Sequence, residues 1–181
     1  PDHKIEILVA PPTSGTRDAW NSLIMKKGCK AAGAYKLWED AGEKAKKKCA
    51  VVREDGRVIE AGENDTLIVQ KLAEDPERFG YFGYSYLLAN EDKIKSAAIT
   101  GILPTLAGIQ DYSYPIARPL QFYVKKAHIG VVPGIEEFLA AFTSENAMGE
   151  DGYLTDIGLV ALSDGDASDI RTRVANLEVI Q

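Results

Sequence analysis

Polar and apolar residues alternate from Lys4 to Val9, which puts Ile5, Ile7 and Val9 on one face and predicts a strand. Pro11 and Pro12 end it. Thr13-Ser14-Gly15-Thr16 then offers cap residues, and Ala19, Trp20, Leu23 and Ile24 follow at helical spacing. A second helix is predicted over 38–48. Segments 50–52 and 57–60 flank the turn signal Glu54-Asp55-Gly56 and predict a short hairpin. Gly62-Glu63-Asn64-Asp65 is another cap-like cluster, ahead of a helix that carries Leu67, Ile68, Val69 and Leu72 and stops before Pro76. Strands are predicted at 79–84, 97–99 and 120–125, the last rich in aromatic and β-branched residues. A short helix is predicted at 86–90. Pro133 opens a helix with Ile135, Phe138, Leu139 and Phe142 on one face. A short apolar piece at 159–162 precedes a last helix at 168–177. Helices and strands alternate without any repeat, which predicts an α/β class.

Length and charge narrow the picture. A chain of 181 residues, 45% apolar, holds one domain or two small ones and can build a core. Its formal net charge of −6 provides no global field for non-specific nucleic-acid binding, so no nucleic-acid partner is expected. The lysines at 44–48 read as a solvated helix face. No apolar run reaches the roughly 18 residues of a membrane span. The start, Pro1-Asp2-His3-Lys4, carries no secretory signal; the expectation is a removed leader or a start inside a larger protein. Cys29 and Cys49 lie in lysine-rich surroundings outside any C-x-x-C pattern. They are either a disulfide of an oxidising compartment or two free thiols.

The stretch Thr13-Ser14-Gly15-Thr16-Arg17-Asp18 carries the candidate chemistry. A helix N-terminus presents unpaired N–H groups and a partial positive charge. Gly15 clears the approach to that backbone, Ser14 and Thr16 add hydroxyls, and Arg17 adds a fork that matches two oxygens of an oxyanion. The competing reading is structural: Ser14 or Thr16 caps a helix and Arg17 pairs with a surface carboxylate. Neither the P-loop pattern nor the G-x-S-x-G elbow is present. His128 reads as a surface residue rather than a base for Ser14. Asn64-Asp65-Thr66 matches a glycosylation sequon but reads better as a helix cap, a second N-terminus directed at the same cleft. The two histidines, His3 and His128, and the scattered carboxylates give no metal-like or nucleophile–base arrangement, so neither an enzyme nor a metal or other cofactor is expected.

Several runs, in order, resemble the phosphate-binding proteins of phosphate ABC transporters. They are 11–18, Gly62-Glu63-Asn64-Asp65, Phe82-Gly83-Tyr84-Ser85-Tyr86-Leu87, 114–120, 123–128 and Pro133-Gly134-Ile135-Glu136-Glu137-Phe138. The resemblance covers nearly the whole chain. It implies a type II periplasmic binding fold: two α/β lobes joined by crossing strands, with inorganic phosphate held in the cleft and released to a membrane permease. It implies phosphate contacts at Ser14, Gly15 and Thr16, supporting roles for Thr13, Asn64 and Asp65, a Cys29–Cys49 disulfide, and a periplasmic location. The arginine that many members carry shortly before that serine is Ala10 here, and Arg17 is the natural substitute.

The resemblance further implies the carboxy-terminal half of the fold. Residues 1–116 would form the complete second lobe, and 117–181 the returning strand and helices of the first. The absent half normally brings a carboxylate that accepts the proton of hydrogen phosphate. Two expectations follow. The chain alone binds phosphate weakly and discriminates poorly against sulfate. Its segment from Leu120 onward exposes apolar faces and pairs with the missing half or with a second copy. A scavenger, adhesin or sensor of the same fold is the alternative to transport, and a phosphate-ester hydrolase a more distant one.

Overall fold

The computed structural model of the chain describes residues 4–179. Contacts divide it into two compact units that meet between Ser96 and Ala97.

The first unit is built on three parallel strands in the order β2-β1-β3: β1 (Ile7–Val9), β2 (Val58–Glu60) and β3 (Phe79–Gly80). Ile7 pairs with Val58 on one side and Phe79 on the other. A central parallel strand is covered on both faces, so it reads as a continuous apolar run rather than an alternating one. Leu8, Val9 and Ala10 are accordingly all buried. The alternating face expected from Ile5, Ile7 and Val9 is corrected on this ground, because Ile5 lies outside the ladder and is 62% exposed.

Between β1 and β2 the chain makes one long helical run: α1 (Gly15–Trp20), a π-helical turn (Asn21–Met25) and α2 (Lys26–Ala31). Two short helices follow, α3 (Ala34–Asp40) and α4 (Ala45–Lys48). The single helix expected over 38–48 is broken at Gly42, whose φ of +72° is left-handed and cannot continue a helix. The hairpin expected from 50–52 and 57–60 is also absent. Only Val58–Glu60 is a strand, and it pairs with β1 instead, where the apolar surface is.

Helix α5 (Asp65–Glu74) crosses from β2 to β3. Its Ile68 is fully buried and joins Leu8 and Ala61 in the core, with Ile59, Leu72 and Phe82 packed around them. The strand expected over 79–84 shortens to β3, because 81–83 leave the ladder and lead into α6 (Tyr84–Leu88). Gly80 makes this close packing possible. A Cβ there would lie 2.9 Å from Ile68 Cγ2 and 3.1 Å from Leu72 Cδ1. Ile68 is fully buried, so Gly80→Ala overpacks the core and should cost about 1–3 kcal/mol. Urea unfolding followed by tryptophan fluorescence measures this cleanly, since Trp20 and Trp38 are the chain's two tryptophans and both lie in the first unit.

The second unit is helical: α7 (Leu106–Gln110), a 3-10 turn (Lys126–His128), α8 (Ile135–Phe142), α9 (Glu145–Met148), α10 (Tyr153–Asp156) and α11 (Asp164–Ala175). Helix α8 starts after Gly134 (φ +86°), so Pro133 stands just outside it rather than in its first turn. Helix α11 begins earlier than expected because the Ser163 hydroxyl accepts from the Asp166 N–H and caps it. The strand expected at 97–99 reduces to one bridge, Ile99 with Ile102, across the tight turn Thr100-Gly101. No strand forms at 120–125, because a strand needs a hydrogen-bonded neighbour and none of the described residues provides one. Leu120 and Tyr123 are left about three-quarters exposed. Phe122 and Phe138 each pack a ring against Phe142.

Candidate functional site

Parallel strands send all their carboxyl ends to one edge of the sheet, and the loops leaving that edge are where open α/β sheets bind ligands, above all where the strand order reverses. Here β1 is central, its chain goes first to β2 and returns to β3 on the other side. The candidate residues stand on the loops at that edge. Residues 10–16 leave β1, 61–65 leave β2, and Tyr81 follows β3 directly.

Ser14 is the N-cap of α1, and its hydroxyl accepts from the Thr16 N–H at 3.2 Å. The structural reading of Ser14 therefore holds as far as it goes. Gly15 is the first helical residue, with open space where a side chain would stand. The backbone of this turn is thus accessible.

Arg17 behaves as neither simple reading expects. It is 7% exposed, one of two buried polar or charged residues among the described ones. Its Nη1 donates to the Ala10 carbonyl at 2.9 Å, so the guanidinium ties the end of β1 to the first turn of the helix. No carboxylate among the described residues forms an ion pair with it. The surface pairing offered as its bland explanation is absent. The same contact gives Ala10 a role: its carbonyl holds Arg17.

The second cap cluster is tied to the same edge. Asn64 caps α5 by accepting from the Thr66 N–H at 2.9 Å. Asp65 Oδ2 accepts from the Gly83 N–H at 3.1 Å, joining the start of α5 to the start of α6. Thr13 donates its hydroxyl proton to Glu63 Oε1 at 2.5 Å, which joins the β1 and β2 loops. Thr13, Asn64 and Asp65 thus spend their side chains on holding three helix starts at one edge. The cap reading of the sequon is the one these bonds support.

Sequence reasoning passed over Tyr81. Its ring stacks on Trp20 at 4.3 Å with 5° between the planes, beside Arg17. Burial raises its phenol above the usual range, and the nearby Arg17 charge only partly opposes this. An aromatic spaced one residue past a strand looks like core, and nothing local marks it otherwise.

Cys29 and Cys49 are joined by a disulfide, with their Cα atoms 5.8 Å apart. His128 stands exposed in the 3-10 turn of the second unit, and His3 lies outside the described residues. Among the described residues no group of three or more His, Cys, Asp or Glu is placed to hold a metal, and no helix is long and apolar enough to cross a membrane.

The phosphate-binding protein PstS of Staphylococcus saprophyticus is 24% identical over 169 residues, which cover 91% of this chain and 52% of that protein. PstS of Staphylococcus haemolyticus is 34% identical over 99 residues, 52% of this chain and 31% of that one. A solved structure described as a possible phosphate binding protein from Planctomyces limnophilus matches 99% of this chain and 56% of its own, at 25% identity and a TM-score of 0.61. PstS from Borrelia burgdorferi matches 90% of this chain and 55% of its own at 22% identity and a TM-score of 0.56, which speaks for the fold alone. The chain spans about half the length of these relatives, or less. A family model for a PBP superfamily domain matches residues 1–146, most of the chain, and with it the α/β fold and the loops gathered at its sheet edge identify this chain as a member of the PBP superfamily.

Proposed function

We propose that the chain binds inorganic phosphate, or a closely similar oxyanion, at the carboxyl edge of its three-stranded sheet. The observation that carries this reading is Arg17: a cation 7% exposed, with no carboxylate paired to it among the described residues, next to an open helix N-terminus. A buried charge without a counter-charge is costly, and proteins keep one where a ligand completes it. An oxyanion fits. The Gly15 N–H at the open start of α1 and the Ser14 and Thr16 hydroxyls offer further donors to the same neighbourhood.

In this reading residues 1–116 act as one lobe of a phosphate-binding fold and 117–181 as the returning part of the other. The names of the relatives support a binding role without turnover, and uptake through an ABC transporter permease is its transport form. A scavenger or sensor would use the same site. The disulfide suits an extracytoplasmic location.

The donors at this edge are indifferent to whether the anion carries a proton. Discrimination between hydrogen phosphate and sulfate requires a carboxylate acceptor facing the anion, and the carboxylates of Glu63 and Asp65 are each turned, through one oxygen, to Thr13 and Gly83. Titration of the 181-residue chain with inorganic phosphate, followed by calorimetry or phosphorus NMR, should therefore show saturable but weak binding that sulfate competes away. No binding of either anion at millimolar concentration would sink the proposal. Tight, phosphate-selective binding would remove the claim that selectivity lies elsewhere.

A further inference from the structure

We infer that the Tyr81 hydroxyl is an additional hydrogen-bond donor of this oxyanion site, an inference that rests on the anion-binding reading above. Tyr81 is the first residue beyond β3, next to the end of β1, where the strand order reverses. Its ring lies flat on Trp20 of α1, the helix that also carries Arg17. The stack fixes the ring plane, and with it the place of the hydroxyl.

Tyr81 Oη is buried and, among the described residues, no acceptor takes its proton; the Arg17 guanidinium beside it can only donate toward the oxygen. Buried hydroxyls are rarely left so, because the lost hydration is not recovered. The charged groups that act on it are Arg17 from α1 and Glu60 from the end of β2. Arg17 has only donors and cannot take the phenol proton. Glu60 is exposed and makes no hydrogen bond to it. Burial keeps the phenol protonated, so it is a donor in search of an acceptor. Asn21 Oδ1 is the other buried side-chain atom without a partner among the described residues, but it is an acceptor and offers an anion nothing.

An unspent O–H and a guanidinium without a carboxylate partner among the described residues thus lie side by side. One oxyanion oxygen satisfies both: it balances the charge and accepts the proton. The phenol would then add direction to an attraction that the guanidinium alone leaves loose.

Tyr81→Phe removes the oxygen and keeps the stacked ring. In the full chain, titrated with inorganic phosphate, the expected result is about a 3- to 10-fold loss of affinity, with thermal stability unchanged or slightly raised because an orphan polar atom is gone. A phosphate-induced tyrosine difference spectrum should appear in the wild type and vanish in Tyr81→Phe, a signal that a packing role does not produce. Wild-type affinity in Tyr81→Phe would overturn the inference and leave the anion site standing. Affinity and stability falling together, with no tyrosine difference spectrum in the wild type, would reduce Tyr81 to packing. A wild-type chain that binds no phosphate would overturn both readings.

Discussion

Arg17→Ala should weaken phosphate binding about 10- to 100-fold, the equivalent of the roughly 1.5–3 kcal/mol carried by a hydrogen bond to a charged group. The expectation is large because the guanidinium is removed from water. An exposed arginine exchanges its anion for solvent and screening ions at little cost, whereas a 7%-exposed one has no such substitute. The net charge of −6 works in the same direction: the chain as a whole repels an anion, so the local cation must overcome that. Arg17→Ala also deprives the Ala10 carbonyl of its donor, with a stability cost of about 1–3 kcal/mol. Arg17→Lys separates the two effects. It keeps the charge but loses the planar fork, and one ammonium cannot hold the Ala10 carbonyl and two anion oxygens as a guanidinium does. An intermediate affinity for Arg17→Lys, in a protein that unfolds near the wild-type urea midpoint, is the expected pattern. If Arg17→Ala folds and binds phosphate as the wild type does, Arg17 is only a staple between β1 and α1.

The case of Arg17 also shows where reading the sequence succeeds and where it stops. Its type and its place after Ser14-Gly15-Thr16 are visible in the string of residues. Its burial and its hold on Ala10 are not, because they depend on β1 ending directly beneath the first turn of α1. The same holds for the caps. Ser14 and Asn64 are legible because a cap is a local device that acts over two or three residues. That Thr13 reaches Glu63, and Asp65 reaches Gly83, depends on three loops converging at one sheet edge, a long-range fact. Tyr81 was hidden for a further reason: its partner in the stack, Trp20, is remote in sequence, and the shortage that singles it out is an unpaired hydrogen.

The failures among the elements share one cause. The strand at 120–125 rests on residue type and the hairpin at 50–60 on a local turn signal, and β-propensity describes a half-buried surface rather than a backbone preference. Val58–Glu60 found its surface beside β1, and 120–125 has no ladder among the described residues. The helix at 38–48 has the right composition, but a single left-handed glycine at 42 divides it. The helix at 65–74 was read correctly because cap, period and the following Pro76 all agreed.

Loss of the Cys29–Cys49 bond should destabilise the first unit by about 3 kcal/mol, the loop-entropy value for a cross-link that spans this much chain. The two cysteines stand 20 residues apart. The stretch they enclose needs the bond more than most. From Lys30 to Lys48 the one buried side chain is Ala45, and α3 and α4 otherwise lie exposed apart from the half-buried Ala34 and Tyr35. Burial of that extent cannot offset the entropy of ordering so many residues. The disulfide limits how far the stretch can wander when it opens, and so carries what the core does not. In the Cys29→Ser, Cys49→Ser double variant the urea midpoint followed by Trp20 and Trp38 should fall by about 1–2 M. Trypsin should then cut first at the lysines of this segment, Lys30, Lys36, Lys44, Lys46, Lys47 and Lys48, while the sheet still protects β1 and α5. Phosphate binding should persist at urea concentrations below the new midpoint, because the loops at the sheet edge are tied by their own hydrogen bonds rather than by the cross-link. A variant that keeps the wild-type midpoint and resists trypsin would mean that α3 and α4 are held by packing after all. A variant that loses phosphate while still folded would mean that the bond reaches the site through the long helix from Gly15 to Ala31.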